Sequence, residues 1–185
     1  MPGERDADRV DRTTDGQGEV SKLSLEALRE FSAGAWFAPQ FASEKIPTLD
    51  EVLDLCVAGK CVPMVEIKGK TKAQPDVAER VAAALAKHGI EEASIVIPKD
   101  PLRAKQLQEH TPKTQLCYLS LTKGQARSAM KIPGVYGADI YWKSLSLGLI
   151  QELRADGRFL TPWTVNRARD MDRILQLGCA AIISD

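Results

Sequence analysis

Histidine and aromatic side chains are scarce in this chain, with two His and 5% Phe, Trp and Tyr among 185 residues. So small a histidine count leaves few neutral-pH proton carriers. The four cysteines, Cys56, Cys61, Cys117 and Cys179, form no CxxC pair, which argues against a zinc centre. The chain is neither short nor Cys-dense, so a disulfide scaffold is not expected. Each cysteine lies beside apolar residues, where the expected role is that of a small buried hydrophobe. No apolar run approaches the ~20 residues of a membrane-spanning helix. The charged N-terminal stretch lacks the apolar core of a signal peptide. No membrane span is therefore expected, and the default location is cytoplasmic. Charge of either sign is not in excess, since 25 Lys and Arg balance 25 Asp and Glu. Nothing in that balance draws the chain to nucleic acid or to an anionic surface, so any anion site has to be local. Internal repeats and low-complexity tracts are absent as well.

What is there is regular alternation. Residues 1–21 read as an irregular segment with turn signals at Asp15-Gly16 and Gln17-Gly18, and residues 22–185 read as one domain. Leu25, Leu28 and Phe31 recur at helical spacing, and an aromatic-rich loop follows through Trp36, Phe37 and Phe41. Thr48 and Glu51 form a capping box that starts a helix with Leu49, Val52, Leu53 and Leu55 on one side. Beyond it, strands are expected at 62–67, 93–97, 115–121, 135–141, 159–165 and 180–184. Helices are expected between them, at 75–88, 100–110, 147–155 and 166–177, with a shorter one after Thr122. Gly89 fits a left-handed C-terminal stop, Asp100-Pro101 an N-cap with Pro at the first helical position, and Asn166 an N-cap. Six alternating units predict a parallel sheet with helices outside it. A doubly wound sheet and a (β/α)₈ barrel both satisfy that pattern. No GxGxxG follows a strand, so the dinucleotide-binding version has no support.

The candidate site residues lie at strand ends. Glu66 and Lys68 are two apart and share one face at the C-terminal end of the first regular strand, where barrel active sites are built. A carboxylate there suits a hard cation, and an ammonium beside it suits a phosphate oxygen. The same spacing also describes an ordinary ion pair on a solvated rim. Trp163 ends the penultimate strand and could wall the alcohol part of a substrate, or simply pack. His88 and His110 both fall near helix C-termini and read as surface caps rather than general bases.

Six segments in order, 11–18 (DRTTDGQG), 33–42 (AGAWFAPQFA), 45–53 (KIPTLDEVL), 65–69 (VEIKG), 163–166 (WTVN) and 178–185 (GCAAIISD), resemble the glycerophosphodiester phosphodiesterase family. The resemblance implies a (β/α)₈ barrel of the α/β class. It implies metal-dependent hydrolysis of glycerophosphodiesters to glycerol 3-phosphate and an alcohol, a reaction of lipid and glycerol metabolism. By the resemblance, Glu66 matches an acidic ligand for Mg²⁺ or Ca²⁺, Lys68 the lysine on the phosphate, and Trp163 the tryptophan lining the pocket.

Other parts of the family pattern are not found. No expected strand ends in the opening His-Arg-Gly or supplies the Glu-x-Asp pair of metal ligands. The position of the second catalytic His holds Asp6-Ala7, and Ile97-Pro98-Lys99 replaces a Ser-Phe strand end. A full barrel takes about 250 residues. The expectation is an incomplete barrel with about six β/α units and the first two strands missing. Turnover by this polypeptide alone should be weak or absent. Two parallel sheet edges should stay open, an opportunity for pairing with a second copy.

Overall fold

A computed structural model describes residues 9–69 and 71–185. The chain divides into two compact units, residues 1–55 and 56–185. Asp6 and Ala7 lie outside the described residues.

In the first unit, side-chain hydrogen bonds organise the loops. Gly18 N donates to Asp11 Oδ1 at 2.6 Å and Ser32 N to Asp15 Oδ1 at 2.7 Å, so the two aspartates of the DRTTDG segment fold the chain over locally. Helix α1 (Leu25–Glu30) starts at Ser24, whose hydroxyl accepts from Ala27 N. Trp36, Phe37 and Phe41 follow as an exposed aromatic run, with neighbouring ring centroids 5.8 and 5.7 Å apart. Helix α2 (Leu49–Gly59), which runs across the division between the units, opens on the expected capping box. Glu51 N donates to Thr48 Oγ1 at 3.2 Å, and Thr48 N donates back to Glu51 Oε2 at 2.7 Å. Of the four apolar residues expected on one side of this helix, only Leu53 is fully buried, and Leu55 is 72% exposed.

The second unit is a parallel sheet of five strands in sequential order. They are β1 (Met64–Glu66), β2 (Ile95–Ile97), β3 (Gln115–Ser120), β4 (Val135–Tyr141) and β5 (Phe159–Trp163). Helices α3 (Val77–His88), α4 (Pro101–His110), α5 (Lys123–Ala129), α6 (Leu147–Ala155) and α7 (Ala168–Gln176) alternate with them. Sequential order with a helix in each crossover is the winding of a barrel wall, and it excludes a doubly wound sheet, whose strand order reverses. Ala138, Ile140 and Leu160 pack on one face of the sheet in a core with Ala126 of α5, Leu149, Ile150 and Leu153 of α6 and Ile174 of α7. By strand alternation, Asp139, Tyr141, Thr161 and Trp163 stand on the other, inner face. Gly137 is required where β4 passes the Phe159 ring, since a Cβ there would lie 2.6 Å from it.

Three sequence expectations change. The expected strand at 180–184 is not a strand, because Ile183 alone bonds to the end of β5. It donates to Pro162 O at 2.9 Å and accepts from Val165 N at 2.9 Å. Five strands therefore stand where six were expected. Asn166 does not cap α7, where Arg167 holds the N-cap position without a side-chain bond. The Asn166 amide instead donates to Asp185 Oδ2 at 2.9 Å and accepts from Asp185 N at 3.1 Å, tying the chain after β5 to residue 185. Cys61 is exposed rather than buried, while Cys117 and Cys179 are buried and Cys56 is intermediate.

The loop after β1 is strapped to the start of α4. Asp100 caps α4 by accepting from Arg103 N at 3.0 Å, and its other oxygen accepts from Thr71 Oγ1 at 2.6 Å. Arg103, 1% exposed, donates through Nη1 to Gln74 O at 2.8 Å. Asp100→Ala removes both the cap and the link to Thr71. We expect it to cost about 1–2 kcal/mol in urea unfolding. Thr71→Val leaves the cap intact and should cost less. Equal losses would show that the cap contributes nothing.

Candidate functional site

The C-terminal end of β1 brings Glu66 and Lys68 together. Ile67 between them is 4% exposed and its N–H bonds to Ile97 O at 3.1 Å, so period-two alternation sends both charged neighbours to the same side. Lys68 Nζ stands 3.1 Å from Glu66 Oε2, with both side chains partly exposed. Gly69 turns the chain away at φ +81°, and any Cβ there would meet the Gln74 amide at 2.6 Å. An ion pair so exposed holds the two side chains together only weakly, typically by 0–1 kcal/mol. Such a pair leaves the Lys68 ammonium easily available to another anion.

At the ends of β4 and β5, Tyr141 and Trp163 pair across the ladder, and their rings lie 5.8 Å apart at 55°. The Trp163 indole N–H donates to Asp139 O at 3.0 Å, which fixes the ring against β4. Two rungs below, Asp139 faces Thr161 across the same pair of strands. Thr161 Oγ1 donates to Asp139 Oδ1 at 3.2 Å and lies 3.4 Å from Cys117 Sγ. With the threonine proton committed to the carboxylate, the Cys117 thiol is the donor in the second contact. The result is a buried polar chain across β3, β5 and β4. Burial pushes the Asp139 carboxyl up to about 7; the Thr161 bond opposes that rise, and the negative charge of Glu66 adds to it. Burial likewise drives the Cys117 thiol far above its ordinary range, so it is no thiolate nucleophile at neutral pH.

Asp139 is the site residue that sequence reasoning missed. The available signal was a single acid among apolar neighbours in the strand VYGADIY, on the side opposite Ala138 and Ile140. The histidines stay out of the site. His88 and His110 are the last residues of α3 and α4, and a crossover helix ends at the opposite end of the sheet from the strand C-termini. The cavity of about 180 Å³ lined by Ala82, Ala86, His110 and Lys113 lies at that opposite end too. Among the described residues, no three His, Cys, Asp or Glu side chains gather closely enough to hold a metal ion. Glu66 by itself does not make a site for a divalent cation, because Ca²⁺ takes 6–8 oxygens and Mg²⁺ an octahedral set.

A family model described as the glycerophosphoryl diester phosphodiesterase family matches residues 6–185. The chain belongs to that family. It is 30% identical over 178 residues to a glycerophosphodiester phosphodiesterase of Caldanaerobacter subterraneus subsp. tengcongensis, covering 95% of this chain and 73% of the relative. Against the glycerophosphodiester phosphodiesterase of Bacillus subtilis, identity is 29%, over 96% of this chain and 67% of the relative. Among solved structures, an Oleispira antarctica phosphodiesterase in complex with the product sn-glycerol 3-phosphate superimposes with a TM-score of 0.81 at 20% identity, covering 96% of this chain and 72% of that one. A Galdieria sulphuraria structure superimposes with a TM-score of 0.79 at 18% identity, covering 97% and 73%. The fold of this glycerophosphodiester phosphodiesterase family member is thus an incomplete (β/α)₈ barrel, five parallel strands of the wall with their outer helices.

The Asp139 environment sets a pH dependence. Its folded-state value of about 7 lies above the ordinary 3.8, so between those two pH values the folded state binds more protons than the unfolded state. Stability contributed by this group is full below pH ~4 and falls as pH rises toward 7, by up to about 4 kcal/mol. Asp139→Asn carries no ionisable group there. In urea unfolding it should gain on the parent between pH 4.5 and pH 8. A constant difference across that range would mean that Asp139 ionises without cost.

Proposed function

We propose that the inner face around Lys68 and Trp163 binds a glycerophosphodiester, and that this polypeptide alone hydrolyses it to glycerol 3-phosphate and an alcohol weakly or not at all. The observation that carries the binding half is the arrangement of the strand ends. A cationic Lys68 in a weak, exposed pair stands at the end of β1, and an aromatic wall of Trp163 and Tyr141 stands at the ends of β5 and β4. Lys68 holds a phosphate oxygen as a point charge, and Trp163 covers the apolar side of the alcohol. Glu66 is the residue we assign to a divalent cation, Mg²⁺ or Ca²⁺, which this family uses. As a single carboxylate it needs further ligands that the described residues do not supply.

The weak-turnover half rests on proton transfer. Neither histidine lies at a strand end, and a positioned acid–base pair contributes typically ~10²–10⁴-fold. We expect release of glycerol 3-phosphate from glycerophosphocholine, with Mg²⁺ or Ca²⁺ added, to stay within about ten-fold of a protein-free control. Turnover near the ~10 s⁻¹ median of enzymes would overturn this half. Binding of glycerol 3-phosphate should nevertheless be measurable, and Lys68→Ala should weaken it several-fold.

The sheet edges support a homo-oligomer as a further part of this reading. Strands β1 and β5 are the outer strands, and near β1 the apolar Val57, Val62 and Met64 are 48%, 62% and 36% exposed. A second copy pairing there would cover them. Analytical ultracentrifugation should find a dimer or larger species, and Val62→Lys should shift it toward monomer. A single monomeric species at high concentration would exclude this pairing.

A further inference from the structure

A buried carboxylate with spare hydrogen-bonding capacity calls for an explanation. Asp139 is 3% exposed. Ionised, it offers about four acceptor positions. Among the described residues its carboxylate receives one hydrogen bond, from the Thr161 hydroxyl. A purely structural tie between β4 and β5 would not need a charge, since an asparagine accepts from threonine equally well and carries no ionisation cost. The metal-ligand explanation fails on numbers, because no cluster of three ligating side chains occurs among the described residues.

Position narrows the remaining choices. Asp139 is two rungs below the Tyr141–Trp163 pair, on the same inner face, and Trp163 is bonded to the carbonyl of Asp139 itself. The aromatic wall and the acid beneath it are therefore fixed to one peptide unit. One oxygen, Oδ1, is oriented by Thr161, and Cys117 behind Thr161 keeps that hydroxyl turned toward the acid. Glu66 is near enough to act on Asp139 electrostatically, so the ends of β1 and β4 serve one region of the inner face. A molecule with its phosphate at Lys68 and its carbon chain against Trp163 would lie on the inner face that Asp139 shares.

We propose that Asp139 is a specificity-determining residue, whose Oδ2 accepts a hydrogen bond from a hydroxyl of the polyol esterified to the phosphate. The proposal rests on the binding half of the proposed function and adds the selection of a hydroxylated ligand. A site built to bond a hydroxyl rejects an analogue lacking it, because the buried acceptor is then left unpaired.

The experiment compares three probes by isothermal titration calorimetry at pH 7.5: sn-glycerol 3-phosphate, 1-propyl phosphate, which has the same chain without free hydroxyls, and inorganic phosphate. The parent should bind glycerol 3-phosphate at least ten-fold more tightly than propyl phosphate. Asp139→Leu, checked for folding by circular dichroism, should bring that ratio to about one while leaving the affinity for inorganic phosphate unchanged. The preference of the parent is itself a test, so the proposal stays falsifiable if the leucine variant does not fold. Equal binding of glycerol 3-phosphate and propyl phosphate by the parent overturns the role of Asp139 and leaves the phosphate site standing. A ten-fold preference that survives in folded Asp139→Leu overturns it as well. A parent that binds none of the three probes overturns both this inference and the proposed function.

Discussion

The in-register pairing of β4 with β5 decides which residues of this chain stand on the inner face of the wall. Five consecutive rungs, from Gly137 opposite Phe159 to Tyr141 opposite Trp163, fix the ladder. The close approach of Gly137 to the Phe159 ring pins its lower end. Because side chains alternate, a slip of one residue in β5 would turn Leu160 away from the helices and Thr161 toward them. The same slip in β4 would drive Asp139 into the apolar layer that Leu149, Ile150 and Leu153 now form with Ala138 and Ile140. Burying a carboxylate there without a partner costs several kcal/mol or forces it to stay protonated. The polar inner face and the apolar outer face thus enforce one register, and that register aligns Thr161, Asp139, Tyr141 and Trp163.

What the sequence made legible is what local chemistry decides. Thr48 with Glu51 and Asp100 before Pro101 each bond backbone N–H groups within three residues, so their capping is visible in a short window. Asn166 looked equivalent in such a window, yet its amide is engaged by residue 185, a partner nineteen positions away. The segment 180–184 has the composition of a strand, but strand identity depends on neighbours, and here Ile183 alone is bonded. Glu66, Lys68 and Trp163 were found through motifs. Asp139 belongs to none of those motifs, and its importance comes from facing Thr161 across the ladder and from burial, neither of which is written in its immediate neighbours.

Charge placement on the inner face follows a division of labour between two depths. Near the rim, Glu66 and Lys68 neutralise each other in contact with solvent, where screening keeps the pair cheap to separate. Deeper, among the described residues, Asp139 has no cationic partner and accepts only from a neutral hydroxyl. The low-dielectric surroundings that make its ionisation costly also make a hydrogen bond to it strong. In the proposed binding mode, a ligand that bonds both levels exchanges a weak ion pair for a phosphate contact at the rim and adds a donor to the carboxylate below. Neither exchange demands that the strands move.

The two faces of the wall also carry separate burdens. Stability resides in the helix-facing layer, where fully buried Leu149, Leu153, Leu160 and Ile140 exclude water from the crossovers. Apart from the Asp139–Thr161–Cys117 chain, the inner-face side chains that bear on chemistry are partly exposed. Changing side chains at strand ends removes little from the buried layer, so the winding of the wall does not depend on the residues proposed to meet a ligand. Fold and activity respond to different sets of residues, and membership in the family follows the first set. The contacts proposed for a ligand belong to the second, with Lys68, Glu66 and Trp163 at the strand ends.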